Sequence, residues 1–223
     1  MFCSFVKSSS FLFDFATTQL ILLGESPEGV VPYLECEGKE VVPADIDSVK
    51  HRYLFNLPCA TDSFTVVLPS DSAQHFSLRG LFLKNRKPGI SYHSIGVNGA
   101  AVSDYFKCRY FTEDLRLVKP DLVIFGIGIN DAAGANFDTA VFRQNYLQLI
   151  DSFRVVNPQC AFIFITNNDS FKKTGKRSYT VNANGVKARD VFYRLADDVH
   201  GAVWDQFTVM GGLKSMDKSR IAG

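Results

Sequence analysis

Two short segments hold the residues whose types and spacing could do chemistry. SIGVNGA contains Gly96 and Gly99, and FGIGINDAAG places Asn130 and Asp131 directly after an apolar run. Glycine lets a backbone N–H approach a bound group without a side chain in the way, and an asparagine amide is a neutral donor. If the two segments end neighbouring parallel strands, the Gly96 N–H and the Asn130 amide converge and can stabilise a developing oxyanion.

Simpler explanations also fit these residues. Gly96 and Gly99 suit a tight turn between a strand and a helix, and Asn130 or Asp131 suits the N-cap of the next helix. A dinucleotide-binding loop is a weaker interpretation of Gly126-Ile127-Gly128, because the third glycine of GxGxxG would fall at Asp131. The residues alone leave the oxyanion and the turn-or-cap interpretations open.

After Gly89, segments with the apolar pattern of a strand alternate with segments that have the apolar period of a helix. These elements would position the residues described above. Alternating strands and helices predict βαβ units, a parallel sheet and helices on both of its faces. In such sheets ligands bind beyond the carboxyl ends of the strands. The predicted strands are SYHSIGV (91–97), DLVIFGIGI (121–129), AFIFIT (161–166) and AVWDQF (202–207), and the predicted helices cover 99–119, 139–156 and 184–199.

The first part of the chain, from about residue 11 to 88, has a different pattern. Short strands separated by turn-forming residues, without helical periodicity between them, predict an antiparallel β-sandwich. The division falls near Lys87–Gly89, so we expect a jelly-roll-like β-sandwich domain at 1–88 and an α/β domain at 89–223. The predicted strands are TTQLILLGE, VPYLECEG, HRYLFNLP, SFTVVLP and HFSLRGLFLKN.

The blocks YHSIGVNGAAVSDY and PDLVIFGIGINDAAG resemble blocks two and three of the SGNH (GDSL-type) esterase family. Gly128-Ile129-Asn130-Asp131 matches the Gly-x-Asn-Asp signature of that family. The chain is most similar to the bacterial carbohydrate-esterase branch, in which a β-sandwich is inserted ahead of block two. Further similarity lies downstream, in FIFITNNDSF and VWDQFTVMGGLKSM.

The resemblance implies a flavodoxin-like three-layer α/β/α fold for the second domain. It also implies an ester hydrolase that removes O-acetyl groups from a polysaccharide or acts on another small ester. In this interpretation the Gly96 N–H and the Asn130 amide form the oxyanion hole, and no cofactor or metal is required. Family members of this type generally act outside the cytoplasm, in the periplasm or as secreted proteins.

The serine nucleophile of the family, in a Gly-Asp-Ser block, has no convincing counterpart here. Gly24-Glu25-Ser26 is similar to that block, but it lies among antiparallel strand signals, and no helical pattern follows it. A nucleophile on a strand–turn–helix elbow needs that helix. We therefore expect that Ser26 is not the nucleophile and that the domain lacks its first strand.

The histidine of the family, in an Asp-x-x-His block, also has no counterpart. His200 precedes a predicted strand and should lie at its amino end, His93 falls inside the predicted strand 91–97, and His51 and His75 belong to the first domain. Asp205 closes a strand, but no histidine follows at the required spacing. The α/β domain is therefore predicted to be incomplete at its carboxyl end and this chain to be inactive by itself.

A missing first strand would leave a slot beside strand 121–129. In the flavodoxin-like order 2-1-3-4-5 the first strand is central, and unpaired buried backbone groups cost about 1–3 kcal/mol each. The sequence allows three ways to avoid that cost. Residues 1–14 fill the slot, a second chain fills it, or strands 91–97 and 121–129 pair directly.

Composition excludes some classes of function. A net charge of +1 gives no basis for binding nucleic acid or an anionic membrane. No apolar stretch approaches the roughly 20 residues of a membrane helix, and the apolar start is interrupted by Asp14, so a signal peptide is not evident. The five cysteines show no CxxC spacing and give no indication of a metal site.

Two alternative functions stay open. The chain could be a non-catalytic carbohydrate-binding or structural module, for which Tyr33, Tyr53 and Phe55 could serve as exposed aromatic residues, although half-buried strand residues are the commoner interpretation. A flavin or nucleotide binder has only the expected fold in its favour. The sequence does not specify the ester that is cleaved or the oligomeric state.

Overall fold

The computed structural model describes residues 2–6, 16–69, 76–85, 87–176 and 178–216. The chain forms two compact units, Met1–His93 and Ser94–Gly223. The predicted domain division after residue 88 stays a prediction.

Eight strands of the first unit form two antiparallel sheets of four strands each, in the orders β1-β7-β3-β4 and β5-β6-β2-β8. Buried residues from both sheets make one core, including Leu22 and Phe55 from one sheet and Leu34 and Phe64 from the other. The jelly-roll-like β-sandwich topology stays a prediction. The strands are β1 (Phe2–Val6), β2 (Thr17–Glu25), β3 (Tyr33–Cys36), β4 (Lys39–Val41), β5 (Asp45–Asp47), β6 (Arg52–Thr61), β7 (Ser63–Val67) and β8 (Ser77–Lys84).

The aromatic residues proposed for carbohydrate binding are not exposed. Tyr53 and Phe55 alternate with outward-facing residues along β6, so both point into the core, and Phe55 is completely buried. Tyr33 is half-buried. The alternative of an exposed aromatic surface formed by these residues is therefore wrong, because the period of two that predicts the strand also turns the rings of Tyr53 and Phe55 inward.

The second unit contains a three-stranded parallel sheet in the order β13-β10-β9. This confirms the predicted α/β class with a parallel sheet. A short antiparallel hairpin, β11–β12, was not predicted. The elements are a 3₁₀ helix (Val102–Lys107), α1 (Phe111–Val118), β9 (Leu122–Phe125), α2 (Ile129–Ala132), α3 (Thr139–Val156), β10 (Ala161–Ile165), β11 (Phe171–Lys173), β12 (Tyr179–Val181), α4 (Asn184–Val199), β13 (Ala202–Trp204) and α5 (Gln206–Val209).

Aromatic residues join the helices to one face of the parallel sheet. Phe125 of β9 stacks on Phe164 of β10 with ring centroids 5.4 Å apart. Tyr146 of α3 lies 5.9 Å from Phe164, and Phe192 of α4 lies 5.4 Å from Tyr146. All four rings are buried, and most of their contacts are edge-to-face. The cluster therefore packs β9 and β10 against α3 and α4 and fixes the position of the end of β9.

The opposite face of the sheet is apolar and exposed, and we call it the bare face. The pairing of Leu122 with Ala161, Ile124 with Ile163, and Ile165 with Trp204 puts these side chains on one side. Trp204 is 57% exposed, Ile124 54% and Leu122 48%. Among the described residues the helices therefore cover one face of the sheet and leave the other accessible.

The predicted strand 91–97 does not form. These residues are irregular and exposed. In the order 2-1-3-4-5 the second strand pairs only with the first, and no described strand occupies the first position beside β9. An alternating pattern is not enough without a partner to accept its backbone hydrogen bonds.

Two of the three expected ways to fill the slot beside β9 are contradicted where they can be examined. Residues 2–6 form β1, which pairs with β7 of the first unit, whereas residues 7–14 lie outside the described residues. The direct pairing of strands 91–97 and 121–129 is wrong, because β9 pairs with β10 and 91–97 is not a strand. A second chain in the slot stays a prediction.

Candidate functional site

The end of β9 turns sharply through Gly126–Gly128 into the short helix α2. Gly128 is buried and has a φ of 121°, a region that side-chain-bearing residues rarely adopt. A Cβ at this position would lie 2.9 Å from Cζ of Phe142 and 3.2 Å from Cζ of Phe192. Glycine is therefore required here by both backbone and packing, and the turn presents Asn130 and Asp131 at the carboxyl end of the strand.

Asn130 is exposed and lies within α2. Its Nδ2 donates a hydrogen bond of 2.9 Å to the carbonyl oxygen of Ala100, which orients the amide. An amide nitrogen carries two hydrogens. One N–H of Asn130 is therefore available to a bound group, as far as the described residues show.

Asp131 points in another direction. Both of its carboxylate oxygens lie 3.2 Å from the backbone N–H of Val102, the first residue of the 3₁₀ helix. Burial raises the pKa of this carboxyl group, although the hydrogen bond from Val102 acts in the opposite sense. The interpretation of Asn130 or Asp131 as N-cap of the following helix is wrong, because Gly128 caps α2 and Asp138 caps α3.

The loop that carries Gly96 is bound to the same end of β9. The hydroxyl of Tyr105 donates to the carbonyl oxygen of Ile95 at 3.1 Å. That bond lies within the segment itself, whereas the bonds from Asn130 to Ala100 and from Val102 to Asp131 are the two that attach the segment to the end of β9. The structure thus places the loop of Gly96 beside the helix of Asn130, on one edge of the sheet. That their donors form a single oxyanion hole stays a prediction.

The turn explanation accounts for Gly99 but not for Gly96. Gly99 has a φ of 84° in a turn closed by a 3.1 Å bond from Ala100 N–H to the Val97 oxygen. Gly96 lies outside the positive-φ region, is exposed, and would accept a Cβ without any contact within 4 Å. Neither strain nor packing requires glycine at position 96, which is compatible with a need for backbone access.

Buried amides far away in the sequence hold the other end of α2. Nδ2 of Asn182 and Nδ2 of Asn184 donate to the carbonyl oxygen of Ala132 at 3.0 and 3.1 Å, and Asn184 also reaches the oxygen of Gly134. Sequence reasoning missed both residues. Their position before the helix at 184 suggests only a local capping role, and nothing local indicates partners some 50 residues earlier.

Asp205 organises the carboxyl end of β13. Its carboxylate accepts hydrogen bonds from Thr166 and Tyr193, each at 3.0 Å, and caps α5 through the Thr208 N–H. Burial alone would raise the pKa of Asp205, but the hydrogen bonds from Thr208, Tyr193 and Thr166 outweigh it and lower the pKa. Asp205 has a structural role here, and no described histidine contacts it.

Ser26 lies in an antiparallel setting within the first unit. It follows β2, which pairs antiparallel with β6 and β8 in the first unit. Its hydroxyl accepts a 3.2 Å bond from the Glu28 N–H within a turn, and no helix follows. The sequence predicts this antiparallel setting, and that Ser26 is not the nucleophile stays a prediction.

The structure describes the positions of His200, His51 and His93, and the lack of a catalytic base stays a prediction. His200 ends α4 and precedes β13, so it lies at the amino edge of the sheet, opposite Asn130. The strand β13 has three residues, and not the six expected, because Asp205 begins α5. His51 and His93 belong to the first unit, where His51 lies 3.4 Å from Glu25, and His93 is irregular, not in a strand. His75 lies outside the described residues.

The opposite pKa shifts of Asp131 and Asp205 predict opposite pH dependences of stability. Asp131 has a raised folded-state pKa, so its contribution is present at low pH and is lost as pH rises through that pKa. Asp205 has a lowered pKa, so its contribution is present above the ordinary carboxyl pKa and is lost as pH falls through the folded-state value.

The free energy of unfolding of Asp131→Asn, taken relative to that of the wild type, should therefore increase as pH rises from 3 to 7. Asp205→Asn should become less stable over the same range. Urea unfolding of the three proteins at several pH values measures both trends. Trends of the same sign would contradict the assignment of the two carboxylates.

No curated protein matches the chain. Among solved structures, a peptidoglycan O-acetylesterase matches with a TM-score of 0.72 and 21% identity, covering 94% of this chain and 57% of that one. An acetyl xylan esterase matches with a TM-score of 0.39 and 19% identity, covering 49% and 55%. A family two carbohydrate esterase from Clostridium thermocellum matches at 0.38 and 12%, covering 86% and 80%. The first of these matches supports the fold, and the chain spans little more than half of that structure.

The described ranges contain no helix that is long and apolar enough to cross a membrane. No group of three or more potential metal-ligating residues occurs in the part of the chain that the structure describes. The sequence model of the GDSL-like Lipase/Acylhydrolase family matches residues 62–220, which is most of the chain and includes both the Gly96 loop and the Asn130 turn. The chain belongs to the GDSL-like lipase/acylhydrolase family.

Proposed function

We propose that this chain provides the oxyanion-binding part of an ester hydrolase that removes O-acetyl groups from a polysaccharide. The observation that carries the proposal is the attachment of the Gly96 loop to the end of β9 through Asn130 and Asp131. This attachment supports the proposal that the Gly96 N–H and the Asn130 amide serve one site at the carboxyl end of the parallel sheet, where ligands bind.

The chemistry assigned to the chain is electrostatic. When a nucleophile adds to the acyl carbon, the carbonyl oxygen gains negative charge, and the charge is lost again when the alcohol leaves. The Gly96 N–H and the free N–H of Asn130 would donate to that oxygen. Donors held in place before the reaction stabilise the charged state without further reorganisation.

The proposal assigns neither the nucleophile nor the base to a described residue. Ser26 lies in an antiparallel turn, and His200 lies on the opposite edge of the sheet. We therefore propose that the chain by itself is inactive. The serine and the histidine–aspartate pair would come from polypeptide outside the described residues.

An O-acetylated polysaccharide is proposed as the substrate, since a solved structure that matches this chain with a TM-score of 0.72 is that of a peptidoglycan O-acetylesterase. Such a substrate lies outside the cytoplasm, so we propose an extracytoplasmic location. The binding-module alternative is weakened, because Tyr53 and Phe55, two of the aromatic residues named for it, are buried.

Hydrolysis of p-nitrophenyl acetate tests the proposal. The assay compares this chain with a longer polypeptide that carries additional family sequence on both sides of it. Activity in the longer form alone supports the proposal. Equal inactivity of both forms would favour a non-catalytic module, and turnover by this chain that Ser26→Ala abolishes would overturn the exclusion of Ser26.

A further inference from the structure

Positive charge is concentrated in one segment of the chain, residues 170–189, whose first part forms the hairpin β11–β12. The segment contains six lysines and arginines and no aspartate or glutamate, whereas the whole chain has a net charge of +1. A local excess of one charge attracts ligands of the opposite charge, even where the net charge of a protein is close to zero. The six basic residues are Lys172, Lys173, Lys176, Arg177, Lys187 and Arg189.

The hairpin is attached to the helix that carries Asn130. The N–H of Asn182, directly after β12, donates to the carbonyl oxygen of Ser170, directly before β11, at 2.8 Å. Nδ2 of Asn182 donates to the oxygen of Ala132, the last residue of α2, at 3.0 Å. Asn182 is only 2% exposed, so this junction is buried. The base of the hairpin therefore lies beside α2, at the carboxyl end of the parallel sheet where ligands bind.

The described part of the hairpin presents two cations and one aromatic ring. Tyr179 is 61% exposed, Lys176 is exposed in the turn, and Lys172 is half-buried. Neither lysine forms an ion pair with a residue that the structure describes, whereas Arg189 pairs with Asp190 at 2.8 Å. The ring of Tyr179 offers a flat apolar surface on which the apolar face of a sugar ring can pack. Cations beside an exposed aromatic ring suit an acidic carbohydrate.

We propose that the hairpin β11–β12 binds a polysaccharide that carries carboxylate groups. Lys172 and Lys176 would lie against the carboxylates, and the ring of Tyr179 would pack on a sugar. The choice of a polysaccharide rests on the proposed function, and the inference adds that the substrate is acidic. Nucleic acid would meet the same positive charges, but the attachment of the hairpin to α2 associates these charges with the site proposed for esters.

Isothermal titration calorimetry of this chain with polygalacturonate and with alginate tests the inference, because both polymers consist of sugars that carry carboxylates. Dextran is the neutral polysaccharide, and polyuridylate is the nucleic acid. We expect binding to both acidic polysaccharides and none to dextran. Raising the salt concentration from about 20 to about 300 mM should weaken binding, because salt screens charges on an exposed hairpin.

The double variant Lys172→Glu and Lys176→Glu should bind the acidic polysaccharides about tenfold more weakly, since it replaces attraction by repulsion. Lys39→Glu with Lys84→Glu is the matched control, because it changes the net charge equally at two exposed lysines of the first unit. The control should bind like the wild type.

Tyr179→Ala should weaken binding about 2- to 10-fold, whereas Tyr179→Phe keeps the ring and should retain the affinity. Circular dichroism checks that each variant is folded. Three results would overturn the inference: no binding of either acidic polysaccharide, equal binding of dextran, or tighter binding of polyuridylate. An equal loss of affinity in the lysine control would overturn it as well.

The titration measures binding and not hydrolysis, so it is independent of the proposed function. Absent binding would leave the assay with p-nitrophenyl acetate to decide about the esterase. Specific binding by a chain whose longer form hydrolyses no ester would support the hairpin as a carbohydrate site and contradict the esterase proposal.

Discussion

In an active polypeptide that contains these residues, Asn130→Ala is expected to lower kcat for p-nitrophenyl acetate about 100- to 1000-fold. The side chain donates one N–H to Ala100, and the amide nitrogen carries a second N–H. Only the second is assigned to the oxyanion. Because the charge develops in the transition state, the loss should appear in kcat, with little change in KM.

A matched control separates catalysis from folding. Asn136→Ala removes an exposed amide from the loop that follows α2 and should leave kcat unchanged. Loss of the bond from Asn130 to Ala100 should itself cost about 1 kcal/mol of stability. Unfolding curves must therefore show that Asn130→Ala is folded at the assay temperature. A folded variant with wild-type kcat would remove Asn130 from the oxyanion hole.

Gly128→Ala is expected to lower the free energy of unfolding of the second unit by about 2–5 kcal/mol. A left-handed backbone costs a side-chain-bearing residue about 1–2 kcal/mol, and overpacking a filled core costs about 1–3 kcal/mol. Both apply here, since φ is 121° and the added Cβ meets the rings of Phe142 and Phe192. Both rings are buried, so neither can move without disturbing its neighbours.

Gly126→Ala, two residues earlier, is the control. A Cβ at position 126 has no heavy atom within 4 Å, and Gly126 is not among the positive-φ residues. Urea unfolding followed by circular dichroism should show a stability near that of the wild type for Gly126→Ala and a clear loss for Gly128→Ala. Equal effects of the two substitutions would contradict the role given to the turn.

The long helices and the buried strands of the second unit could be predicted from the sequence. The predicted helices 139–156 and 184–199 coincide with α3 and α4. Eighteen and sixteen residues provide several repeats of the apolar period, and Asp138 provides a side-chain cap for α3. Because the apolar period repeats several times, the local sequence is sufficient to predict these two helices.

The strand at 91–97 could not be predicted correctly, because a strand depends on its neighbour as much as on its own pattern. SYHSIGV has suitable residues, but no described strand lies beside it. Similarly, Asp131 was interpreted as a cap for the helix that follows it. Its actual partner, Val102, lies 29 residues earlier, and only the folded arrangement brings the two together.

The candidate site residues can be proposed from the sequence, from two glycines and one amide. The residues that hold their surroundings in place could not be predicted in this way. Gly96 and Asn130 are predicted because few residue types can stabilise an oxyanion and because the two blocks resemble those of the family, and their role stays a prediction. The side-chain amides of Asn182 and Asn184 donate hydrogen bonds to the backbone carbonyls of Ala132 and Gly134. Such bonds between distant parts of the chain leave no recognisable spacing in the sequence.

Asn130 and Asp131 are adjacent in the sequence but differ in orientation. Asn130 is exposed, whereas the carboxylate of Asp131 is turned inward and accepts a hydrogen bond from Val102. Their order along the chain is therefore as important as their identity. A protein in which the two were interchanged would have the same composition and the same net charge. It would nevertheless carry a carboxylate at the position proposed for the oxyanion, and the negative charge of that carboxylate would repel the charge that develops in the proposed reaction.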